Sequence, residues 1–175
     1  GISLSNSSRT VLMPATVDKA VVVSGEGVLA ISNANLTKGV VLAENAKVTI
    51  EVLGENTVTG DANGILVPES AELTVTGEGS LNVVGNNGSG IGYANTKEAA
   101  HTSGKITIID LASLTAEGKG DHAYGIGGNG ADVVINNSTV DYACGGHVQP
   151  LCDNDPSYGK SEPEGAPAIG GRKVE

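Results

Sequence analysis

Five short stretches of the chain begin alike: Gly39-Val40-Val41, Gly64-Ile65-Leu66, Gly90-Ile91-Gly92, Gly125-Ile126-Gly127 and Ala168-Ile169-Gly170. A globular core has no need of such a recurrence. A repeat protein does, because each unit must bury its apolar face against the next. The first two intervals are 25 and 26 residues and the next two are 35 and 43. One structural unit therefore recurs with progressively longer insertions. Insertions run over the surface and tolerate change, so function is expected there.

From the Gly-Ile step, two further segments fall into register. The first is Val48-Thr49-Ile50-Glu51, then Leu73-Thr74-Val75-Thr76, Ile106-Thr107-Ile108-Ile109 and Val133-Val134-Ile135-Asn136. Each alternates apolar and polar residues or nearly so, the period-2 pattern of a strand with one buried face. The second is Thr57-Val58-Thr59, then Leu81-Asn82-Val83, Leu114-Thr115-Ala116 and Thr139-Val140-Asp141. Turn formers separate them, among them Gly54-Glu55-Asn56, Gly77-Glu78-Gly79, Gly85-Asn86-Asn87-Gly88 and Gly118-Lys119-Gly120-Asp121. These supply positive φ and local side-chain to backbone bonds. No 3.6-residue apolar stripe marks a helix.

Three short strands per unit, with equivalent strands parallel, predict an all-β, single-stranded right-handed parallel β-helix with long loop insertions in the later coils. Composition suits it: 26 Gly, 4 Tyr, no Phe and no Trp in 175 residues leave small β-branched side chains to fill the interior. Residues 1–175 are read as one domain. Ala20-Val21-Val22-Val23, Gly27-Val28-Leu29-Ala30-Ile31 and Asn35-Leu36-Thr37 fit a first coil, and residues 1–19 are expected to cap it. Residues 145–167 form a long insertion, after which Ala168-Ile169-Gly170-Gly171 resembles the opening of another coil.

The 20 acidic and 10 basic residues give a net charge of −10, with the acids spread along the chain. Phosphate backbones would be repelled, which argues against a nucleic-acid partner. No run approaches the ~20 apolar residues of a membrane span, and the opening Gly1-Ile2-Ser3 lacks the basic and apolar regions of a signal peptide, so any targeting segment is expected to have been removed.

The strings Leu53-Gly54-Glu55-Asn56-Thr57-Val58-Thr59-Gly60, Gly64-Ile65-Leu66-Val67-Pro68 with Ala71-Glu72-Leu73-Thr74-Val75-Thr76-Gly77, and Tyr124-Gly125-Ile126-Gly127-Gly128 resemble the repeats of bacterial cell-surface parallel β-helix proteins of the carbohydrate-binding-domain-like type. The likeness covers roughly residues 40–145 and is more specific for architecture than for ligand. It implies a secreted or surface-displayed bacterial module, and some relatives bind acidic polysaccharide together with calcium.

Sugar sites pair an apolar platform with a few aimed polar groups. Tyr93 and Tyr124 flank adjacent Gly-Ile-Gly steps and are expected on one side of the stack. Asn95, His101, His122 and Asn129 in the insertions supply donors and acceptors. Together these six residues are the expected ligand-binding set, for a polysaccharide or glycan and, in an adhesive role, a surface protein. The function expected is a non-catalytic carbohydrate-binding or adhesion module. The alternative is a structural or protein-binding stalk, with a polysaccharide lyase or glycoside hydrolase further behind. Glycoside hydrolysis needs two carboxylates flanking the bond, and within the aligned strands Glu51 and Asp141 stand isolated. The two arginines, Arg9 and Arg172, lie near the ends.

No cofactor is required by this reading, and calcium is the ion an acidic surface would favour. Asp153, Asn154 and Asp155 are the candidate ligands, since hard cations take carboxylate and amide oxygens. Asp61 and Asp121, at corners before Gly-Ile steps, are a second candidate pair with Asn63. Cys144 and Cys152 enclose a seven-residue Gly-bearing loop able to close as a disulfide in an oxidising compartment, and two free thiols fit the sequence equally. Thr49, Thr74 and Thr107 align, but Val134 breaks the column that an ice-binding face would continue.

Overall fold

The structure, a computed structural model, describes residues 1–6, 9–12, 14–146 and 168–175, and the backbone of 151–152. Among these residues every regular element is a β-strand. The strands form three ladders. The first stacks β1 (Ile2–Leu4), the opening of β4 (Val21–Ser32), β6 (Val40–Leu42), β9 (Ile65–Leu66), β11 (Ile91–Tyr93), β13 (Ile126–Gly128) and β17 (Ile169–Gly170), with every pair parallel. The second stacks β2 (Arg9–Leu12), the rest of β4, β7 (Lys47–Leu53), the openings of β10 (Glu72–Gly85) and β12 (Lys105–Gly118), β14 (Asp132–Asn136) and β18 (Lys173–Val174). The third stacks β3 (Thr16–Val17), β5 (Asn35–Leu36), β8 (Glu55–Gly60), the closing halves of β10 and β12, and β15 (Val140–Gly145). β16 (Leu151–Cys152) runs antiparallel to β15. The chain visits the ladders in the same order on each pass, an all-β, mostly parallel arrangement consistent with a β-helix or solenoid.

Aliphatic columns along the axis make the core. Val40, Ile65, Ile91 and Ile126 occupy one register position of the first ladder and are at most 2% exposed. Leu29, Ile50, Val75 and Ile108 do the same in the second, and Leu36, Val58, Val83 and Ala116 in the third. Each large aliphatic buried this way is worth about 1.5–3 kcal/mol. The alternation seen in the sequence is thus the inward and outward pleat of the second ladder, and Thr49, Thr74, Thr107 and Val134 share one outward column.

The corner between the second and third ladders takes left-handed backbone at Asn33, Gly54, Asp110 and Asn137, with φ between 46° and 68°. Asn and Asp tolerate this region and can brace the turn with their own side chains. Asn33 Oδ1 accepts a bond from Glu55 N at 3.0 Å, and Asn137 Nδ2 donates to Asp110 Oδ1 at 2.7 Å. A side chain at Gly54 would strike the Asn33 amide, which would have to give up its bond to Glu55 N to make room.

Two expectations about the units need correction. The third-ladder register pairs Leu81 with Asn56 and not with Thr57, because Asn56 points inward. It is 3% exposed in a column continued by Leu81 and Leu114. Its amide is fully used: Oδ1 accepts from Ala34 N at 2.9 Å, and Nδ2 donates to Leu53 O at 2.9 Å and Ser80 O at 3.4 Å. One residue of slip would turn every side chain of the strand to the wrong face. Asp141 likewise does not pair with Ala116. It is bulged out between Val140, opposite Leu114, and Tyr142, opposite Thr115, and it accepts a hydrogen bond from Ser113.

The segment expected to cap the stack contributes strands to all three ladders through β1, β2 and β3. Arg9 Nε reaches Glu51 Oε2 at 2.8 Å, two rungs away. That hydrogen bond and the guanidinium charge hold the Glu51 carboxyl below its ordinary value.

Candidate functional site

The first over-long unit places its extra residues at the two corners that flank the short β11 and β13 passes. Residues 94–104, joining β11 to β12, and residues 119–125, joining β12 to β13, face each other across the turn 86–90. Between them lies an open cleft of about 340 Å³. Its walls carry two ammonium groups (Lys97, Lys119), one imidazole (His122), two carboxylates (Glu98, Asp121) and the amides of Asn87 and Asn95. A smaller depression along the 95–100 segment shares Asn95, Thr96, Lys97, Glu98 and His122 with it.

The walls are braced from below. Asn63 Oδ1 accepts from Ser89 N at 2.9 Å and from Ala94 N at 3.1 Å, tying together the two ends of the short β11 pass. Ser89 is fully buried, and its Oγ accepts from Tyr124 N at 3.1 Å. Lys119 N donates to Gly85 O and Gly88 O, which anchors the second loop on the turn. The first loop closes on itself: Asn95 Oδ1 accepts from His101 N at 2.7 Å, and the Thr96–Ala99 turn is bonded in both directions. At its base the rings of Tyr93 and His101 stack with centroids 4.0 Å apart and planes 10° from parallel. The close passage of the glycine column beneath leaves no room for larger residues. A side chain at Gly92 would collide with the Gly127 carbonyl, and one at Gly127 with that of Gly170.

The six residues expected to form the ligand site divide into groups. Asn95 and His122 line the cleft. Tyr93 and His101 cover one face of each other at the loop base, so the face of Tyr93 turned to His101 is already occupied. Asn129 is exposed and holds the loop through its backbone carbonyl, which accepts from Ser103 N at 2.9 Å. Tyr124 is not beside Tyr93. The register pairing Ile91 with Ile126 and Tyr93 with Gly128 sets Tyr124 above Ser89, four positions and about 13 Å along the strand direction from the Tyr93 column. Burial raises the Tyr124 phenol above its ordinary value, and the residue is half-buried.

Lys97, Glu98 and Lys119 line the cleft and were not singled out from the sequence. The signal was present, since these charged residues fall inside the first over-long interval.

The corner carboxylates are engaged differently. Asp61 pairs with Lys38 at 3.3 Å, and the Asn63 oxygen is taken by two backbone N–H groups. Among the described residues no three His, Cys, Asp or Glu side chains converge as metal ligands. Asp153, Asn154 and Asp155 lie outside the described residues. Cys144 is disulfide-bonded, and its backbone pairs with that of Cys152 across β15 and β16. No helix among the described residues is long and apolar enough to cross a membrane.

Comparison with protein-family models, curated proteins and solved structures returns no match.

Proposed function

We propose that the chain is a single-stranded, right-handed parallel β-helix of the bacterial cell-surface type, secreted or surface-displayed, whose role is non-catalytic binding of carbohydrate at the insertion edge. The observation carrying this reading is the cleft between residues 94–98 and 119–123. It offers cationic donors, carboxylate acceptors and bifunctional amides within one concave space open to solvent. A polyhydroxyl ligand both donates and accepts hydrogen bonds at every ring, so a lining of this mixed kind suits it better than a lining of one sign. The Tyr93–His101 stack stiffens the loop that forms one wall, which lowers the ordering cost of binding. No cofactor is needed for such binding.

The test is a glycan array followed by titration calorimetry on any hit. Lys119→Ala and His122→Ala are each expected to weaken a hit by tenfold or more, while Tyr124→Phe, which lies off the cleft, leaves it unchanged. An array with no signal overturns the reading in favour of a rigid stalk. Loss in Tyr124→Phe with retention in the cleft variants would move the site elsewhere.

A further inference from the structure

One outward column of the second ladder alternates in charge along its whole described length. The paired registers align Glu26 with Lys47, Lys47 with Glu72 and Glu72 with Lys105. The register that sets Ile106 beside Val133 places Lys105 next to Asp132, and Asp132 pairs with Lys173. Six consecutive rungs thus read minus, plus, minus, plus, minus, plus. Within one chain this alternation favours the native register, since unlike neighbours attract and like neighbours repel.

The four charges of the first four rungs, Glu26, Lys47, Glu72 and Lys105, are exposed, and none is within 4.0 Å of an opposite charge on another described residue. At the other end Asp132 pairs with Arg172, and Lys173 with Glu175, yet Asp132 Oδ1 is buried without a hydrogen bond to any described residue. Beside the column runs an open trough of about 450 Å³ floored by Val28, Thr49 and Thr74.

An even-numbered alternating row complements itself when reversed. Two copies related by a two-fold axis lying along the strand direction, between the Glu72 and Lys105 rungs, would oppose Glu26 to Lys173, Lys47 to Asp132 and Glu72 to Lys105, all unlike pairs. A parallel, unshifted approach of the same columns would oppose like to like at every rung.

We propose that this face is the interface of an antiparallel, two-fold homodimer. The column spans about 24 Å of axis, five steps of ~4.8 Å. A contact limited to it and the trough beside it is smaller than the roughly 800 Å² per partner of a standard interface, so the dimer belongs to the weak class. Pairing between exposed charges makes it sensitive to salt.

Sedimentation velocity tests it on the whole chain. At about 0.1 M salt, where a screening length of ~10 Å damps the repulsion between two chains of net charge −10 but not pairs in contact, the mass is expected to rise from one chain to two with concentration, and to return to one in about 0.5 M salt, where the screening length falls to a few ångströms. Lys105→Glu alone is expected to weaken dimerisation at least tenfold. The double exchange Glu72→Lys with Lys105→Glu is the deciding variant. It breaks the alternation within each chain, putting like charges beside each other at rungs 47/72 and 105/132, but restores every unlike pair across the two-fold axis. Recovery of the dimer in that variant supports the proposal, even with a lowered melting temperature. A wild type that stays monomeric at every concentration, or a folded double variant that fails to dimerise, overturns it. Should Lys105→Glu fail to fold, Lys105→Gln gives the same reading with a smaller loss.

Discussion

At the scale of single residues, Asn56 is the most informative side chain. It stands in a column continued by Leu81 and then Leu114, and it survives there because three backbone groups, Ala34 N, Leu53 O and Ser80 O, use its amide. A buried amide left without its partner costs about 1–3 kcal/mol, more than an ordinary hydrogen bond returns. Asn56→Ala is therefore expected to lower stability by about that amount in urea unfolding, and Asn56→Leu to do no better despite the apolar column it would complete. A Leu variant more stable than wild type would show that the backbone groups find water instead. Ser89 works in the same way beneath the cleft, where it is fully buried and accepts the Tyr124 amide.

At the scale of the strand, stability comes from columns and not from any one pass of chain. Ile108 is fully buried between Val75 and Ile135 in the second ladder. Ile108→Val removes one methylene and is expected to cost about 0.5–1.5 kcal/mol in urea unfolding, whereas Ile108→Asp buries an unpaired charge and prevents folding. An Ile108→Asp variant with wild-type melting would mean that this position faces water. The second ladder was legible in the sequence because the inward positions of its four aligned segments, Val48, Leu73, Ile106 and Val133 among them, are aliphatic, and periodicity reads such a strand directly. The third was misread by one residue because its inward column contains a polar side chain. Pattern reading turns Asn56 outward and shifts the strand, since nothing in a hydrophobicity pattern reports the backbone groups that satisfy it. Asp141 escaped for a related reason: a bulge breaks the period that would have revealed it. The tyrosines were placed by proximity to Gly-Ile-Gly, but Tyr93 follows its glycine step while Tyr124 precedes its own. The order along the strand, visible in the sequence, separates them.

At the scale of the whole molecule, the rungs decide where the insertions meet. Residues 94–104 and 119–125 lie far apart in an extended chain, yet they form one cleft because β11 and β13 are adjacent in the first ladder. That the cleft lies at the edge of the over-long units was legible from the repeat intervals, whereas its lining was not, because which loop side chains converge depends on turns held by Asn63, Ser89 and Asn95. In a wound chain, position along the axis advances by one strand spacing per turn whatever the number of residues in the turn. Spin labels test this most directly. The outward column Thr16, Asn35, Thr57, Asn82, Thr115 and Tyr142 rises one rung at a time, although its steps in sequence range from 19 to 33 residues. With one label fixed at Thr16 and the second moved to Asn82, Thr115 and Tyr142 in turn, pulsed dipolar distances are expected to lengthen by about 4.8 Å per step. Distances that follow residue number, or that shorten again as in a sandwich folding back on itself, would contradict it.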